Sequence, residues 1–185
     1  MKRPDYKIIN IVAAAHTRRL DLAKLSDELR IEYEPRVFPA AKYRSLEPKA
    51  SLLLFESGSI ICTGCKTKSD VKKAFREVIE SIGKVYKRKL KISHINITNM
   101  VASSDLGLEL DLDNAYSILR EHGLAMYEPE MFPGLAFWPF EGKTTSILLF
   151  KTGKAICAGA KNESTIKNAF EKLSKILEEY KRSSS

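Results

Sequence analysis

Few residues in this chain are suited to covalent chemistry. Cys62-Thr63-Gly64-Cys65 has the spacing of a redox dithiol or of half a zinc site. A redox dithiol of that kind sits at a helix N-terminus, which lowers the thiol pKa. Cys62 instead falls inside an apolar run that reads as a strand, where residues three apart point to opposite faces. The second cysteine pair that a structural zinc site would need is missing. Buried structural cysteines are therefore the reading preferred over redox or metal roles. His16, His94 and His122 have no ligand spacing. No P-loop, G-x-S-x-G or dinucleotide fingerprint occurs. These patterns point to no catalytic residue, no metal and no cofactor.

Four phenylalanines are better placed for binding. Phe38 precedes Pro39 and Phe132 precedes Pro133. Phe55 and Phe150 each stand three residues before a glycine that marks a turn. Core packing is the ordinary reading of a phenylalanine. The alternative is that these four lie near strand ends and project past the sheet, as apolar wedges for unstacking bases.

The elements that would position them occur twice. SLLLFESGSIICTGCK (51–66) and SILLFKTGKAICAGAK (146–161) agree at nine of sixteen positions without a gap. Each copy is an apolar run, a Ser-Gly or Thr-Gly turn and a second apolar run, the signature of a β-hairpin. Tyr33-Glu34-Pro35 returns as Tyr127-Glu128-Pro129. Around these repeats, 7–15 and 91–103 read as strands. Residues 21–29 and 112–122 read as helices, with Asp21 as an N-cap and Gly123 as a C-cap. Residues 69–87 and 164–180 read as long amphipathic helices. Each half is then strand, helix, four strands, helix, with repeats at 7–90 and 91–180 and a short linker at 84–91.

Bulk properties narrow the class. The chain has 185 residues and a net charge of +8. Residues 1–92 carry 21 Lys+Arg against 11 Asp+Glu, and the remainder 10 against 12. A basic half suits a polyanion, and a near-neutral half suits a different partner. No apolar run is long enough to span a membrane. The start, MKRPDYKIIN, lacks an apolar signal core. Three cysteines, two of them in matching repeat positions, argue against a disulfide framework and for a reducing compartment.

These stretches resemble the core domain of the TATA-box-binding protein family, over essentially all of Lys7 to Tyr180. The residues that carry the resemblance are INIVA (9–13), TNMVAS (98–103), YEP-x-x-FP in both halves, FPGL (132–135), LLF-x-SG (53–58) and CTG-x-K (62–66). The resemblance implies an α+β fold shaped as a pseudo-two-fold saddle. One curved antiparallel sheet of about ten strands would carry four helices on its convex face. It implies a general transcription initiation factor that binds the minor groove of A·T-rich promoter DNA and bends it. Kinking by apolar wedges is the family's known mechanism and is taken from the resemblance. Phe38 and Phe55 would enter one base step, and Phe132, beside Pro133, with Phe150 another. Asn10, Asn99 and Thr63 would hydrogen-bond near the centre. Val12, Val101, Leu53, Leu148, Ile61 and Ile156 would form the apolar contact surface. Arg44, Ser57, Lys66, Thr152, Lys154 and Lys161 match positions near the phosphates. Glu128, Glu130 and Met131 match the loop that docks the B-type general transcription factor, which brings RNA polymerase.

The resemblance is to the archaeal form, acting in the cytoplasm at the nucleoid; a eukaryotic form would be nuclear. No membrane and no small-molecule substrate is implied. Ala158 stands where the repeat partner of Thr63 is normally Thr, and Trp138 where the counterpart of Arg44 is normally Arg. The alternative is a divergent paralogue with relaxed DNA specificity, acting mainly as a protein-interaction platform.

Overall fold

The computed structural model describes residues 5–183. Among them the chain forms nine antiparallel strands and four helices, an α+β fold. It divides into two compact units. The first is Ile9–Thr98; the second takes the described residues before Ile9 and those from Asn99 onward.

The first unit is built from β1 (Tyr6–His16) from Ile9 onward, α1 (Leu22–Leu29), β2 (Ala40–Ser45), β3 (Ala50–Phe55), β4 (Ser59–Cys65) and α2 (Lys68–Val85), with strand order β2-β3-β4-β1. Asp21 caps α1 by accepting from the Lys24 amide at 3.0 Å, and Thr67 caps α2 by accepting from the Asp70 amide at 3.0 Å. Strand burial alternates strictly in β3, where Leu52 and Leu54 are buried and Leu53 and Phe55 are half-open. The buried set meets Val71, Phe75, Val78 and Ile82 of α2, all inaccessible or nearly so. Each such side chain contributes roughly 1.5–3 kcal/mol by leaving water.

The second unit repeats the plan with β5 (Asn96–Asp105), α3 (Leu112–His122), β6 (Leu124–Met126), β7 (Gly134–Trp138), β8 (Ser146–Phe150), β9 (Lys154–Ala160) and α4 (Glu163–Ser183), in strand order β5-β9-β8-β7-β6. Its core sets Leu135, Phe137, Ile147 and Leu149 against Ile166, Phe170 and Leu173. Tyr6 stacks on Phe170 with ring centroids 5.5 Å apart.

The strand count is nine because the halves differ at one place. In the second unit β6 pairs with β7, Met126 opposite Ala136. The equivalent pairing in the first is a lone bridge, Glu32 to Lys42. There α1 ends at Arg30 in the left-handed region, and Tyr33-Glu34-Pro35 follows at once, leaving no length for a strand. The second half has extra residues around Gly123, which make room for one.

Three local expectations are corrected. Gly123 has φ 167°, which is extended backbone, so it leads into β6 and does not cap α3. The strand expected from Lys91 begins at Asn96. The residues before it bond to the end of β1 and the turn after it. The Ser93 amide donates to His16 O at 2.7 Å, and the Thr17 hydroxyl to Lys91 O at 2.8 Å.

Cys62 and Cys65 do not point to opposite faces. Both are buried, with sulfurs 3.8 Å apart. The β1–β4 register runs from Ala13–Cys62 to Ile11–Cys65, so β4 spends one more residue than β1 on that interval. The extra residue is a β-bulge, with Gly64 at φ +98°. It turns Cys65 back to the helix side, where burial pushes both thiols up in pKa. Cys157, in the matching bulged strand, is pushed up to about 12 by burial. Thiols held neutral in this way are poor nucleophiles.

Candidate nucleic-acid interface

In each unit the sheet face away from the helices lacks a cover of its own. On the first, Val12, Leu53 and Ile61 are half-exposed; on the second, Val101, Leu148 and Ile156 are. Alternation puts them there: each is flanked in its strand by residues buried under the helices.

Asn10 and Asn99 stand on these faces, and the bulges orient them. Asn10 Oδ1 accepts the Gly64 amide at 2.8 Å, and Asn99 Oδ1 accepts the Gly159 amide at 2.9 Å. A backbone N–H can only donate, so each carboxamide oxygen must face its glycine. Each Nδ2 is then left as a donor on the open side. Thr63 adds a hydroxyl 3.3 Å from both carboxamide atoms of Asn10. Ala158 occupies the matching place, opposite Ser146, as Thr63 is opposite Ser51.

Each phenylalanine pair is held by the same device. The carbonyl of Glu34 accepts the amides of Val37 and Phe38, both at 2.9 Å, and that of Glu128 accepts those of Met131 and Phe132 at 3.0 and 2.9 Å. This turn sets Phe38 edge-on to Phe55, centroids 6.3 Å apart and planes at 66°, and Phe132 to Phe150 at 6.0 Å and 67°. Phe38 is 46% exposed and Phe132 44%, against 0% for Phe137 nearby. Core packing therefore fails as the account of the outer member of each pair.

Around these faces the hydrophilic positions are open. Arg44, Ser57, Lys66, Thr152, Lys154 and Lys161 are all exposed, as is Pro133. Glu128, Glu130 and Met131 form an exposed loop in the second unit, Met131 at 82%. Beside it, Tyr127, Pro129 and Pro133 line a hollow of about 580 Å³ together with Glu109 and Asp113. What sequence reading missed is the bulge. A glycine inside a strand was the available signal, since such a glycine often marks one.

An apolar face with oriented amide donors and cations near its margin does no covalent chemistry. It suits a long polyanion with apolar edges, which makes this a sheet-faced DNA-binding protein. The family model described as Transcription factor TFIID (or TATA-binding protein, TBP) matches residues 5–85 and 94–180. The chain is 38% identical over 180 residues to a TATA-box-binding protein of Pyrobaculum calidifontis, covering 96% of this chain and 88% of that one. It is 41% identical over 174 residues to one of Picrophilus torridus, covering 92% and 93%. The solved structure of Methanococcus jannaschii TBP superposes with a TM-score of 0.80 at 34% identity, covering 95% of this chain and 99% of that one.

The chain belongs to the TATA-box-binding protein family. It is a transcription factor, not an enzyme, and these relatives are archaeal. No helix among the described residues is long and apolar enough to cross a membrane.

The Thr63/Ala158 asymmetry carries a test. Thr63→Ala is expected to weaken binding to a TATA duplex by about 0.5–1.5 kcal/mol, the net worth of one hydrogen bond. Ala158→Thr is expected to be neutral or favourable on the same duplex. Titrations of both at one salt concentration check this. Strong weakening by Ala158→Thr would mean that the two faces do not engage DNA alike.

Proposed function

We propose that the two repeats act as one continuous saddle on a single duplex. It widens the minor groove of an A·T-rich promoter element and bends the DNA. The observation that carries this is the doubled open apolar face, each copy ending in a phenylalanine pair whose outer ring is exposed. The minor-groove edge of an A·T pair offers acceptors and no guanine amino group. An apolar surface with a few amide donors accepts that edge and is blocked by the amino group of G·C. Wedging is easiest at flexible pyrimidine–purine steps such as TA. The exposed Arg44, Lys66, Lys154 and Lys161 would then meet phosphates, giving salt-dependent affinity. The test is a mobility-shift assay with a bend readout on TATA and scrambled duplexes. Preferential binding and bending of the TATA duplex is expected. Equal, unbent binding of both would favour the protein-interaction platform instead.

The loop of Glu128, Glu130 and Met131 would dock the B-type general transcription factor, which brings RNA polymerase to the promoter at the nucleoid of an archaeal cell. Supporting this is its separation from the phenylalanine cluster in chemistry: two open carboxylates and a Met, beside a hollow lined by Glu109, Asp111 and Asp113 against one cation, Lys151, repel phosphate and suit a basic protein surface. Glu130→Arg is expected to abolish the ternary complex while binary DNA binding survives, read as loss of the slower band. Loss of both bands together would overturn this division.

A further inference from the structure

The two units differ in the outermost row of their open faces. In the first, Arg44 lies opposite Ser51 and Lys42 opposite Leu53, with Glu32 bridged to Lys42 beyond them. Residues directly opposite share a face, so Arg44, Lys42 and Glu32 stand on the side that carries Leu53. The Lys42 ammonium and the Glu32 carboxylate are 3.7 Å apart, and Arg44 is exposed. In the second unit Ala136 lies opposite Leu148, Met126 opposite Ala136 and Leu124 opposite Trp138. Trp138 therefore occupies the place that Arg44 holds in the first unit. A row that is charged in one unit is apolar in the other. Leu124 is 39% exposed, Met126 49% and Trp138 half-exposed. Ala125 and Phe137, which alternate with them, are buried on the helix side.

We propose that this apolar row, with Trp138 at its centre, grips the duplex through the deoxyribose wall of the minor groove. The second unit then makes no phosphate contact at the place where Arg44 would make one in the first. This rests on the minor-groove reading above. The row continues Leu148 and Ile156 without a break, so a duplex lying on those two reaches it next. The groove wall is deoxyribose, whose C–H edges suit an indole ring, and the phosphates lie beyond it. An indole has one N–H and no charge, so its contact releases no counterion. The hold of this row is therefore insensitive to salt, whereas that of Arg44 is not.

Trp138 is the chain's single tryptophan, so its emission reports this contact alone. Adding a TATA duplex to the whole chain is expected to cut acrylamide quenching of that emission severalfold. Trp138→Ala should weaken TATA binding about fivefold to tenfold through lost apolar contact, with the slope of log K against log[salt] unchanged. Trp138→Arg should steepen that slope by about 0.9, and Arg44→Ala should flatten it by about the same amount. The proposal is overturned if a duplex that is bound and bent leaves the quenching unchanged, or if Trp138→Ala flattens the salt slope; the saddle reading survives either result. It is equally overturned if quenching falls with rising protein concentration before DNA is added, which marks contact between copies of the chain. If no duplex binds, both readings fall together. The fluorescence measurement uses the unsubstituted protein, so it decides the matter even if a variant folds poorly.

Discussion

Alanine at both Phe132 and Phe150 is expected to remove one of the two kinks and cut the measured DNA bend by about half, with folding little affected. The two effects separate because the outer ring is already 44% exposed and its partner half-buried. Their edge-to-face contact is worth about 0.5–1.5 kcal/mol, and truncating a partly solvated ring costs less than the roughly 3–5 kcal/mol of a buried one. Phe137→Ala supplies the comparison, since that ring is fully buried in the same unit. Urea unfolding and a circular-permutation bend assay on the same preparations would measure both. If the Phe132/Phe150 variant unfolds as readily as Phe137→Ala and bends DNA normally, the pair is core and the wedge reading is wrong.

Gly159→Ala is expected to be among the most damaging single substitutions in the chain, and Gly64→Ala to be far milder. Both glycines sit in equivalent bulges at positive φ, +86° and +98°. A side chain at that φ costs on the order of 1–3 kcal/mol at either place. The surroundings then differ. A Cβ on Gly159 would lie 1.8 Å from Thr144 O and 2.9 Å from its carbonyl carbon, so the backbone before β8 would have to move. A Cβ on Gly64 would meet nothing closer than Lys49 O at 3.4 Å, an ordinary contact. The expected cost is therefore about 1–3 kcal/mol for Gly64→Ala and on the order of 4 kcal/mol or more for Gly159→Ala, the range reserved for steric disruption. Gly159→Ala should also lower DNA affinity, because the amide that orients Asn99 moves with it. Equal destabilisation of the two variants in urea titrations would show that the bulges are not set by this packing difference.

The sequence by itself determined the duplication, the helices and the hairpins. These rest on local chemistry. Continuous apolar runs closed by a glycine-bearing turn make 50–55 and 146–150 strands, and Asp21 and Thr67 cap helices through bonds that span three residues. The candidate phenylalanines were also legible, because they recur in both halves; the candidate asparagines and cations were legible only through the family resemblance.

Only the tertiary structure decided which way several of those side chains face. The opposite-face reading of Cys62 and Cys65 assumed an unbroken strand, and one unpaired residue reversed it. Whether Asn10 offers its oxygen or its nitrogen depends on a glycine amide 54 positions away. Whether Phe38 is core or surface depends on a turn at Glu34 and on what β3 places beside it. The apolar outer row needs β6 to lie beside β7, with Leu124 opposite Trp138, which composition alone cannot supply. Periodicity is a property of neighbours in the chain and is written there; orientation at a bulge, a turn or a sheet margin is set by contacts between distant residues, which exist only once the sheet has formed.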